Sequence, residues 1–173
     1  SGYHELATIF QAVGIYDEVT VSAADSLKIS GLGAFADQIP TDETNLAWKA
    51  AELVARACGE DPNIHIQIDK SIPIAAGMAG GSADAAATLV ACDTFWNAGI
   101  PRDQLDAMAA TLGSDVPFML HGGCALGVGR GDVLSPVMIR GSFHWVFATF
   151  DEGLSTAQIY EKTDELRGLE FEA

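Results

Sequence analysis

Three glycines lie within five residues of one another, at Gly77, Gly80 and Gly81, and the hydroxyl of Ser82 follows directly. Glycine lets the backbone approach a bound molecule without interference from a Cβ atom. The residues after Ser82 are rich in alanine, which predicts a helix that begins at this loop. A helix N-terminus offers free N–H groups and a partial positive charge, so it favours an anion. The spacing therefore predicts a phosphate site, in which Ser82 contacts a phosphate or a hydrated Mg²⁺.

The same residues also fit a simpler interpretation, an ordinary loop in which Ser82 caps the following helix. The sequence matches neither the G-x-x-x-x-G-K-S/T pattern of P-loop proteins nor the G-x-G-x-x-G pattern of dinucleotide-binding folds. No second βαβ unit is predicted after the loop, which further disfavours a dinucleotide.

Hydrophobic periodicity predicts the elements that must hold this loop in place. Short β-branched or alternating segments predict strands at residues 7–13, 18–22, 27–30, 64–69, 124–128, 133–137 and 143–150. Helical spacing, helix start signals and alanine content predict helices at residues 45–58, 82–98, 102–112, 114–120 and 156–166. The mixed order of strands and helices indicates an α+β fold with an antiparallel or mixed sheet.

The charge and composition exclude several classes of partner. The net charge is −15 and the nine basic residues are scattered singly, so we expect no nucleic-acid partner. No apolar run reaches the roughly 20 residues of a transmembrane helix, so we expect no membrane partner. The first residues show no secretion signal, and we expect a cytoplasmic location. Cys58, Cys92 and Cys124 are widely spaced among apolar neighbours, which predicts buried, reduced thiols.

From Pro73 to Ala86 the sequence reads P-I-A-A-G-M-A-G-G-S-A-D-A-A. This segment resembles the ATP loop of the GHMP kinase superfamily, which includes galactose, homoserine, mevalonate and phosphomevalonate kinases. Two positions depart from the usual loop: Ala79 stands where glycine is usual, and Ala83 where a second serine is usual. Both are small residues that keep the loop slim.

The resemblance implies a fold, a nucleotide and a binding site. The fold is a mixed sheet with helices, like domain 2 of ribosomal protein S5, and the nucleotide is ATP with Mg²⁺. The implied ATP-binding residues are Pro73, Gly77, Met78, Ala79, Gly80, Gly81, Ser82, Asn45 and Lys70. For Asn45 a solvated helix face is an equally good interpretation, and for Lys70 a salt bridge at the rim of the site.

Residues near both ends of the chain resemble one branch of this superfamily. Gly2-Tyr3-His4-Glu5-Leu6 is similar to the signature of the branch whose substrate is linked to cytidine diphosphate, in non-mevalonate isoprenoid biosynthesis. The resemblance implies that Tyr3 and His4 contact cytosine, that Thr156 lies near the transferred phosphate and that Tyr160 stacks on cytosine opposite Tyr3. An aromatic face and a hydrogen-bonding partner for the ring edge suit a base.

Leu112-Gly113-Ser114-Asp115-Val116-Pro117-Phe118 is similar to the G-x-D-V-P-F segment of the same superfamily, whose aspartate is the catalytic base. The resemblance implies that Asp115 accepts the proton of the acceptor hydroxyl. We expect Ser114 to cap the following helix and Pro117 to lie in its first turn. The carboxylate would then lie near a positive dipole, which favours its ionised form. The alternative for Asp115 is a simple helix-entrance residue.

Residues 122–132 are similar to the superfamily's G-G-x-A-x-x-x-G-R-G-E strand and turn. Here we favour a structural interpretation, in which the glycines form tight turns and Arg130 takes part in an ion pair.

The resemblance also predicts how the chain divides. We expect residues 1–141 to form an N-terminal ATP-binding domain without its first strand, and residues 142–173 to begin a truncated second domain. The first strand of the family carries a lysine that helps to activate the acceptor, so we expect the chain alone to be inactive. The expected reaction of the complete enzyme is ATP-dependent phosphorylation of the 2-hydroxyl of the cytidine-linked substrate. The alternatives are another GHMP kinase, of homoserine or mevalonate type, and a non-catalytic nucleotide-binding module.

Overall fold

The computed structural model describes residues 6–148 and 155–171, so Tyr3 and His4 lie outside the described residues. The strands within these ranges are β1 (Leu6–Gln11), β2 (Glu18–Ala23), β3 (Lys28–Leu32), β4 (Ile64–Asp69), β5 (Cys124–Gly129) and β6 (Val133–Pro136). The α-helices are α1 (Leu46–Cys58), α2 (Gly80–Phe95), α3 (Arg102–Leu112), α4 (Val116–His121) and α5 (Thr156–Phe171). A short 3-10 helix at Ala36–Gln38 interrupts the loop after β3.

The described strands form two three-stranded sheets. One has the order β1-β5-β6, and both of its pairings are antiparallel. The other has the order β2-β4-β3, in which β2 runs antiparallel and β3 parallel to the central strand β4. The predicted α+β fold is therefore confirmed, with one antiparallel and one mixed sheet.

The central strand β4 supplies one side of the main core. Its alternate residues Ile64, Ile66 and Ile68 are fully buried, whereas the residues between them are partly exposed. The isoleucines belong to the same core cluster as buried alanines of α1 and α2. Because alanine is short, the two helices can approach each other and the sheet closely.

Helix α1 has a defined signal at each end. Asn45 precedes the helix in an extended conformation, and its side-chain oxygen accepts a hydrogen bond from the N–H of Ala47. Gly59 follows the helix with a φ of 75°, the left-handed conformation that glycine adopts readily. The predicted end at Gly59 is confirmed.

Helix α2 begins two residues earlier than predicted, because its capping residue is Ala79 and not Ser82. Ala79 has φ 52° and ψ 32°, the left-handed region, which costs an alanine roughly 1 kcal/mol. This geometry explains why glycine is favoured at that position. Ser82 lies within the first turn, so the interpretation of Ser82 as a helix cap is wrong.

Helices α3 and α4 are joined by a short turn and linked by polar contacts, including a hydrogen bond from the Arg102 guanidinium to the carbonyl oxygen of Leu120. Asp106 of α3 lies 3.3 Å from the side chains of both Arg102 and His121. Pro117 lies in the first turn of α4, as predicted, but the residue at the cap position is Asp115. The prediction that Ser114 caps this helix is therefore wrong.

The β1-β5-β6 sheet packs on α4 through two aromatic rings. Phe10 of β1 and Phe118 of α4 have ring centroids 5.1 Å apart. Gly127 of β5 faces the Phe10 ring so closely that a Cβ atom there would overlap it, and Gly131 approaches the same ring. The predicted turn geometry applies to Gly129 and Gly131, which have positive φ, whereas Gly127 leaves space for Phe10.

The loop between β5 and β6 contains the predicted ion pair of Arg130. Its guanidinium lies 2.7 Å from a carboxylate oxygen of Asp132, so this prediction is confirmed.

The predicted strand at residues 143–150 is wrong for its described part. Residues 143–148 have no regular secondary structure, and Phe143, Trp145 and Val146 are exposed. Their β-branched and aromatic character favours a strand, but a strand also needs a neighbour to complete its hydrogen bonds. No described strand lies beside this segment.

Helix α5 extends to Phe171, five residues beyond its predicted end. Its charged side chains include Lys162 and Glu165, which form an exposed ion pair at 2.7 Å. Among the described residues, none of the helices combines the length and the apolar character needed to cross a bilayer.

The three cysteines are free thiols, but only one of them is buried. Cys92 is fully buried in the core, whereas Cys58 and Cys124 are partly exposed. Burial, with the Cys58 thiol adding to the effect, raises the pKa of Cys92 to about 12. The expectation of buried thiols therefore holds for Cys92 alone.

The packing of Gly127 against Phe10 gives a first prediction. Gly127→Ala should lower the free energy of unfolding by about 1–3 kcal/mol, because the new methyl group must displace the aromatic ring. Urea unfolding measures the effect. Gly14→Ala is the control, since a Cβ atom there meets nothing within 4 Å. Equal midpoints for the two variants would contradict this account of Gly127.

Candidate functional site

The glycine loop, residues 71–81, separates two cavities. One, here called the loop cavity, has a volume of about 310 Å³. The other, here called the Asp115 cavity, has a volume of about 430 Å³. Gly77, Met78 and Ala79 line both of them. The middle of the loop is therefore a wall that two adjacent cavities share.

Most of the predicted ATP-binding residues line the loop cavity. They are Asn45, Lys70, Pro73, Gly77, Met78, Ala79, Gly80 and Gly81. Ser82 lines neither cavity, and its side chain is half-buried in the first turn of α2. Gly77 and Gly81 face open space, since a Cβ atom on either would meet nothing within 4 Å. The backbone of the loop is therefore accessible to a molecule in the cavity.

Asn45 is a buried helix cap and not part of a solvated helix face. It is 8% exposed, and its side-chain amide donates to the carbonyl oxygen of Pro40 at 2.7 Å. Its oxygen is used by the N–H of Ala47. Asn45 thus connects the residues before α1 to the helix while lining the loop cavity.

Lys70 is a buried cation, which corrects the interpretation of a salt bridge at the rim. Its side chain is 2% exposed and its Nζ atom lies 2.6 Å from a carboxylate oxygen of Asp17 and 2.6 Å from one of Asp84. A buried ammonium is costly unless it is paired and hydrogen-bonded. Lys70 follows β4, Asp17 precedes β2 and Asp84 belongs to α2, so this ionic cluster joins three elements.

Asp17 uses both of its oxygens. Oδ2 accepts from the Lys70 ammonium, and Oδ1 accepts from the backbone N–H groups of Ser71 at 2.7 Å and Ile72 at 2.8 Å. Burial acts to raise the pKa of Asp17, but the N–H of Ile72, the Lys70 ammonium and the N–H of Ser71 together hold it below its usual value. Asp17 is therefore a firmly ionised carboxylate.

Asp84 is in a different position, because only its Oδ2 has a partner. Its Oδ1 is buried and makes no hydrogen bond. Burial raises the pKa of Asp84 to about 6, against the opposing effect of Lys70 and with the Asp17 charge adding to the rise. The two carboxylates thus lie at the same distance from one ammonium, but their pKa values are shifted in opposite directions.

Gly80 lets the ionic cluster approach the start of α2. A Cβ atom on Gly80 would lie 2.9 Å from Cγ2 of Ile72 and 3.0 Å from Nζ of Lys70. This side of the loop is filled by Lys70 and Ile72, whereas the Gly81 side is open. Gly80 therefore allows close packing against the ionic cluster, whereas Gly81 leaves the backbone accessible.

Asp115 lies at the edge of an apolar space. The Asp115 cavity is lined by Phe10, Phe118 and Met119 as well as by the shared loop residues. The carboxylate is half-buried, and its Oδ1 lies 3.5 Å from the Ser114 hydroxyl. An ionised carboxylate can accept a proton from a hydroxyl within hydrogen-bond reach.

Of the remaining predicted site residues, Thr156 is the first residue of α5 and Tyr160 lies one turn further along. Tyr160 is 36% exposed and lines neither of the two cavities. The structure places the loop, Asn45, Lys70 and Asp115 in the linings of two adjacent cavities.

Sequence reasoning missed Asp17 and Asp84. Asp84 is visible as the aspartate of the S-A-D-A-A segment, two residues after Ser82. Asp17 is 53 residues from Lys70 in the chain and belongs to no motif, so no sequence signal identifies it.

Comparison with known proteins finds similar sequences and a matching family model. The family described as "GHMP kinases N terminal domain" matches residues 45–123. The chain is 57% identical over 169 residues to the 4-diphosphocytidyl-2-C-methyl-D-erythritol kinase of Mycolicibacterium gilvum, covering 98% of this chain and 52% of the relative. It is 58% identical over 166 residues to the kinase of the same name from Mycobacterium avium, covering 96% and 52%. The chain thus spans about half the length of these relatives.

Solved structures agree with the sequence relatives. A crystal structure of 4-(cytidine 5'-diphospho)-2C-methyl-D-erythritol kinase matches with a TM-score of 0.63 and 37% identity, over 80% of this chain and 48% of that one. The mevalonate kinase of Methanococcus jannaschii matches with a TM-score of 0.62 over 79% of this chain and 50% of that one. Its 12% identity supports the shared fold alone.

The packing of Gly80 predicts a difference between two adjacent glycines. Gly80→Ala should lower the free energy of unfolding by about 1–3 kcal/mol, because its methyl group would press on Lys70 and Ile72. Gly81→Ala should be neutral or slightly stabilising, since its side is open and alanine favours helix. Urea unfolding of both variants measures this difference, and a larger loss at Gly81 would contradict it.

The raised pKa of Asp84 predicts a pH dependence of stability. Its pKa is about 6 in the folded chain against an ordinary value of 3.8, so the folded state holds the proton more tightly. Asp84 should therefore make the chain less stable as the pH rises from about 4 to about 6, with no further change above that. Asp84→Asn removes this contribution, while Lys70 and Asp17, the charged groups that face Asp84, remain.

The measurement is the unfolding free energy of Asp84→Asn minus that of the unsubstituted chain, from about pH 4 to about pH 8. This difference should grow in favour of the variant up to about pH 6 and then stay level. A difference that shrinks over the same range would show that ionised Asp84 is the favoured form.

Proposed function

We propose that the chain belongs to the GHMP kinase superfamily, whose N-terminal domain model matches residues 45–123, and that it forms the nucleotide-binding half of a small-molecule kinase. The proposed reaction is transfer of the γ-phosphoryl group of ATP to the 2-hydroxyl of 4-diphosphocytidyl-2-C-methyl-D-erythritol, in non-mevalonate isoprenoid biosynthesis. The observation that carries this proposal is the pair of cavities that share Gly77, Met78 and Ala79 as a common wall. A phosphoryl donor on one side and an acceptor on the other would meet at this wall.

On the donor side, the proposed triphosphate site is the start of α2. Because Gly77 and Gly81 have no side chain beyond Cα, their backbone is uncovered and N–H groups can contact phosphate oxygens. Within the described residues, Lys70 is the one basic side chain that lines the loop cavity, and it is already paired with two carboxylates. Backbone amides and the helix dipole therefore supply most of the local positive potential.

The residues present fit a magnesium ion that arrives with the nucleotide. The described residues include no group of three or more acidic, histidine or cysteine side chains that could hold a metal ion by themselves. Mg²⁺ is commonly held by substrate phosphates with one or two protein oxygens. Ser82 lines neither cavity itself, but its hydroxyl lies in the first turn of α2, directly after Gly81, which lines the loop cavity. When bound, the ion would neutralise charge on the transferring phosphate.

On the acceptor side, Asp115 is the proposed proton acceptor. Phosphoryl transfer depends mainly on positioning and on electrostatic stabilisation, because its transition state is loose. The carboxylate of Asp115 would orient the acceptor hydroxyl and take its proton as the bond to phosphorus forms. The rings of Phe10 and Phe118 line the same space and would limit the access of water to it.

The identity of the acceptor rests on the sequence relatives. The 57% and 58% identities are to kinases named for the cytidine-linked substrate, whereas the mevalonate kinase similarity is 12%. We assign Tyr3, His4 and Tyr160 to the cytosine and Thr156 to the transferred phosphate on this basis. Residues 1–141 would form the ATP-binding domain and residues 142–173 the start of a second domain, in a cytoplasmic enzyme.

The proposal predicts that Asp115 contributes to turnover more than to nucleotide binding. In the gene product that carries these residues, Asp115→Asn should lower kcat by about 10² to 10⁴ and leave the KM for ATP within a few-fold. A coupled assay of ADP release with the cytidine-linked substrate measures both constants.

Asp103→Asn is the matched control, since it removes the same charge from an exposed position in the first turn of α3. It should leave kcat unchanged. Near-normal turnover by the Asp115 variant would remove Asp115 from the mechanism, and absence of turnover by the unsubstituted protein would refute the assigned activity.

A further inference from the structure

The ionic cluster holds the glycine loop at both of its ends. At the start, Asp17 accepts hydrogen bonds from Ser71 and Ile72. At the end, Lys70 lies against Gly80 and pairs with Asp84 in α2. We propose that Asp17 is a positioning residue that fixes the glycine loop for phosphate binding, and that a neutral amide can replace Asp84. This inference rests on the proposed function, since the positioned loop is the one assigned to the triphosphate.

Asp17 is suited to this role by its place in the chain. It lies in the connection between β1 and β2 and lines the Asp115 cavity, whereas Lys70 and Asp84 line the loop cavity. Its side chain is 2% exposed, so water competes little for its bonds. Through its ion pair with Lys70, Asp17 therefore links the lining of the Asp115 cavity to the lining of the loop cavity.

The two carboxylates differ in what an amide would do in their place. Both oxygens of Asp17 accept hydrogen bonds, from an ammonium on one side and from two N–H groups on the other. An asparagine has one acceptor oxygen and one donor NH₂ group. In the Asp17→Asn variant, the NH₂ group would face donors in either orientation of the amide, so part of the arrangement must break.

The side chain of Asp84 accepts fewer hydrogen bonds than that of Asp17. Its Oδ2 accepts from Lys70, and its Oδ1 has no hydrogen-bond partner. An asparagine can keep its oxygen towards Lys70 and place its NH₂ group where Oδ1 now lies. Lys70 then retains the ionised Asp17 as its counter-ion, so one positive and one negative charge remain.

Asp17→Asn and Asp84→Asn therefore form a matched pair, with the same change in shape and in charge. The 173-residue chain and both variants are titrated by calorimetry, first with MgATP and then with inorganic tripolyphosphate. We expect Asp17→Asn to bind both ligands at least about tenfold more weakly. In this variant the loop conformation that binds phosphate would be only a small fraction of the population. Asp84→Asn should stay within about threefold of the unsubstituted chain.

Amide hydrogen exchange separates positioning from a general loss of stability. In Asp17→Asn, the amides of Ser71 and Ile72 should lose protection while those of Ile66 and Leu89 keep it. In Asp84→Asn all four should keep it. Equal losses of affinity in the two variants, or normal affinity in Asp17→Asn, would overturn the proposal.

Two further outcomes are judged from measurements on the unsubstituted chain. If Asp17→Asn does not fold, exchange of Ser71 and Ile72 in the unsubstituted chain decides: rates as fast as at the exposed Gly14 overturn the proposal, and strong protection supports it. If the unsubstituted chain binds neither MgATP nor tripolyphosphate, the proposed function fails. The exchange difference between the two variants then still supports or refutes the positioning of the loop.

Discussion

The burial of the Lys70 ammonium is the constraint on which the rest of the site depends. Removing an ion from water costs several kcal/mol even after the protein relaxes, so a buried lysine requires opposite charge at close range. Asp17 and Asp84 supply it, both at 2.6 Å. Because these residues come from the β1–β2 connection, the end of β4 and helix α2, satisfying one charge fixes three elements relative to one another. The glycine loop lies between two of the fixed points.

This arrangement bears on how an acidic chain would hold an anion at the proposed site. The net charge is −15, and Lys70 is surrounded by carboxylates, so side-chain charge contributes little attraction for phosphate. In the proposed site, oriented backbone N–H groups at the start of α2 supply the local positive potential instead. We propose that the ionic cluster contributes by holding these groups in place. Ala79 shows the cost of that geometry, since it adopts a left-handed φ of 52° at the helix start.

Local pattern in the sequence predicts part of the fold, and distant partners decide the rest. The alternation at Ile64, Ile66 and Ile68 predicts β4, and Gly59 predicts the end of α1, because the deciding residues are neighbours in the chain. From the sequence alone, a salt bridge at the rim of the site is as good an interpretation of Lys70 as a place in the nucleotide pocket. The reason is that its counter-ion Asp17 is 53 residues away. Residues 143–148 have strand-forming composition but no described neighbour with which to pair. Both of these errors concern an interaction that only the folded chain brings together.

The most direct test of the account is a titration of the isotope-labelled chain with MgATP, followed by the shifts of its backbone amide resonances. Binding of MgATP should be saturable, with the largest resonance shifts at the amides from Gly77 to Ser82 and smaller shifts along β6. Saturable binding with the largest shifts elsewhere would contradict the assignment of the glycine loop as the phosphate site. No binding at millimolar MgATP would contradict the claim that this chain holds a formed nucleotide site.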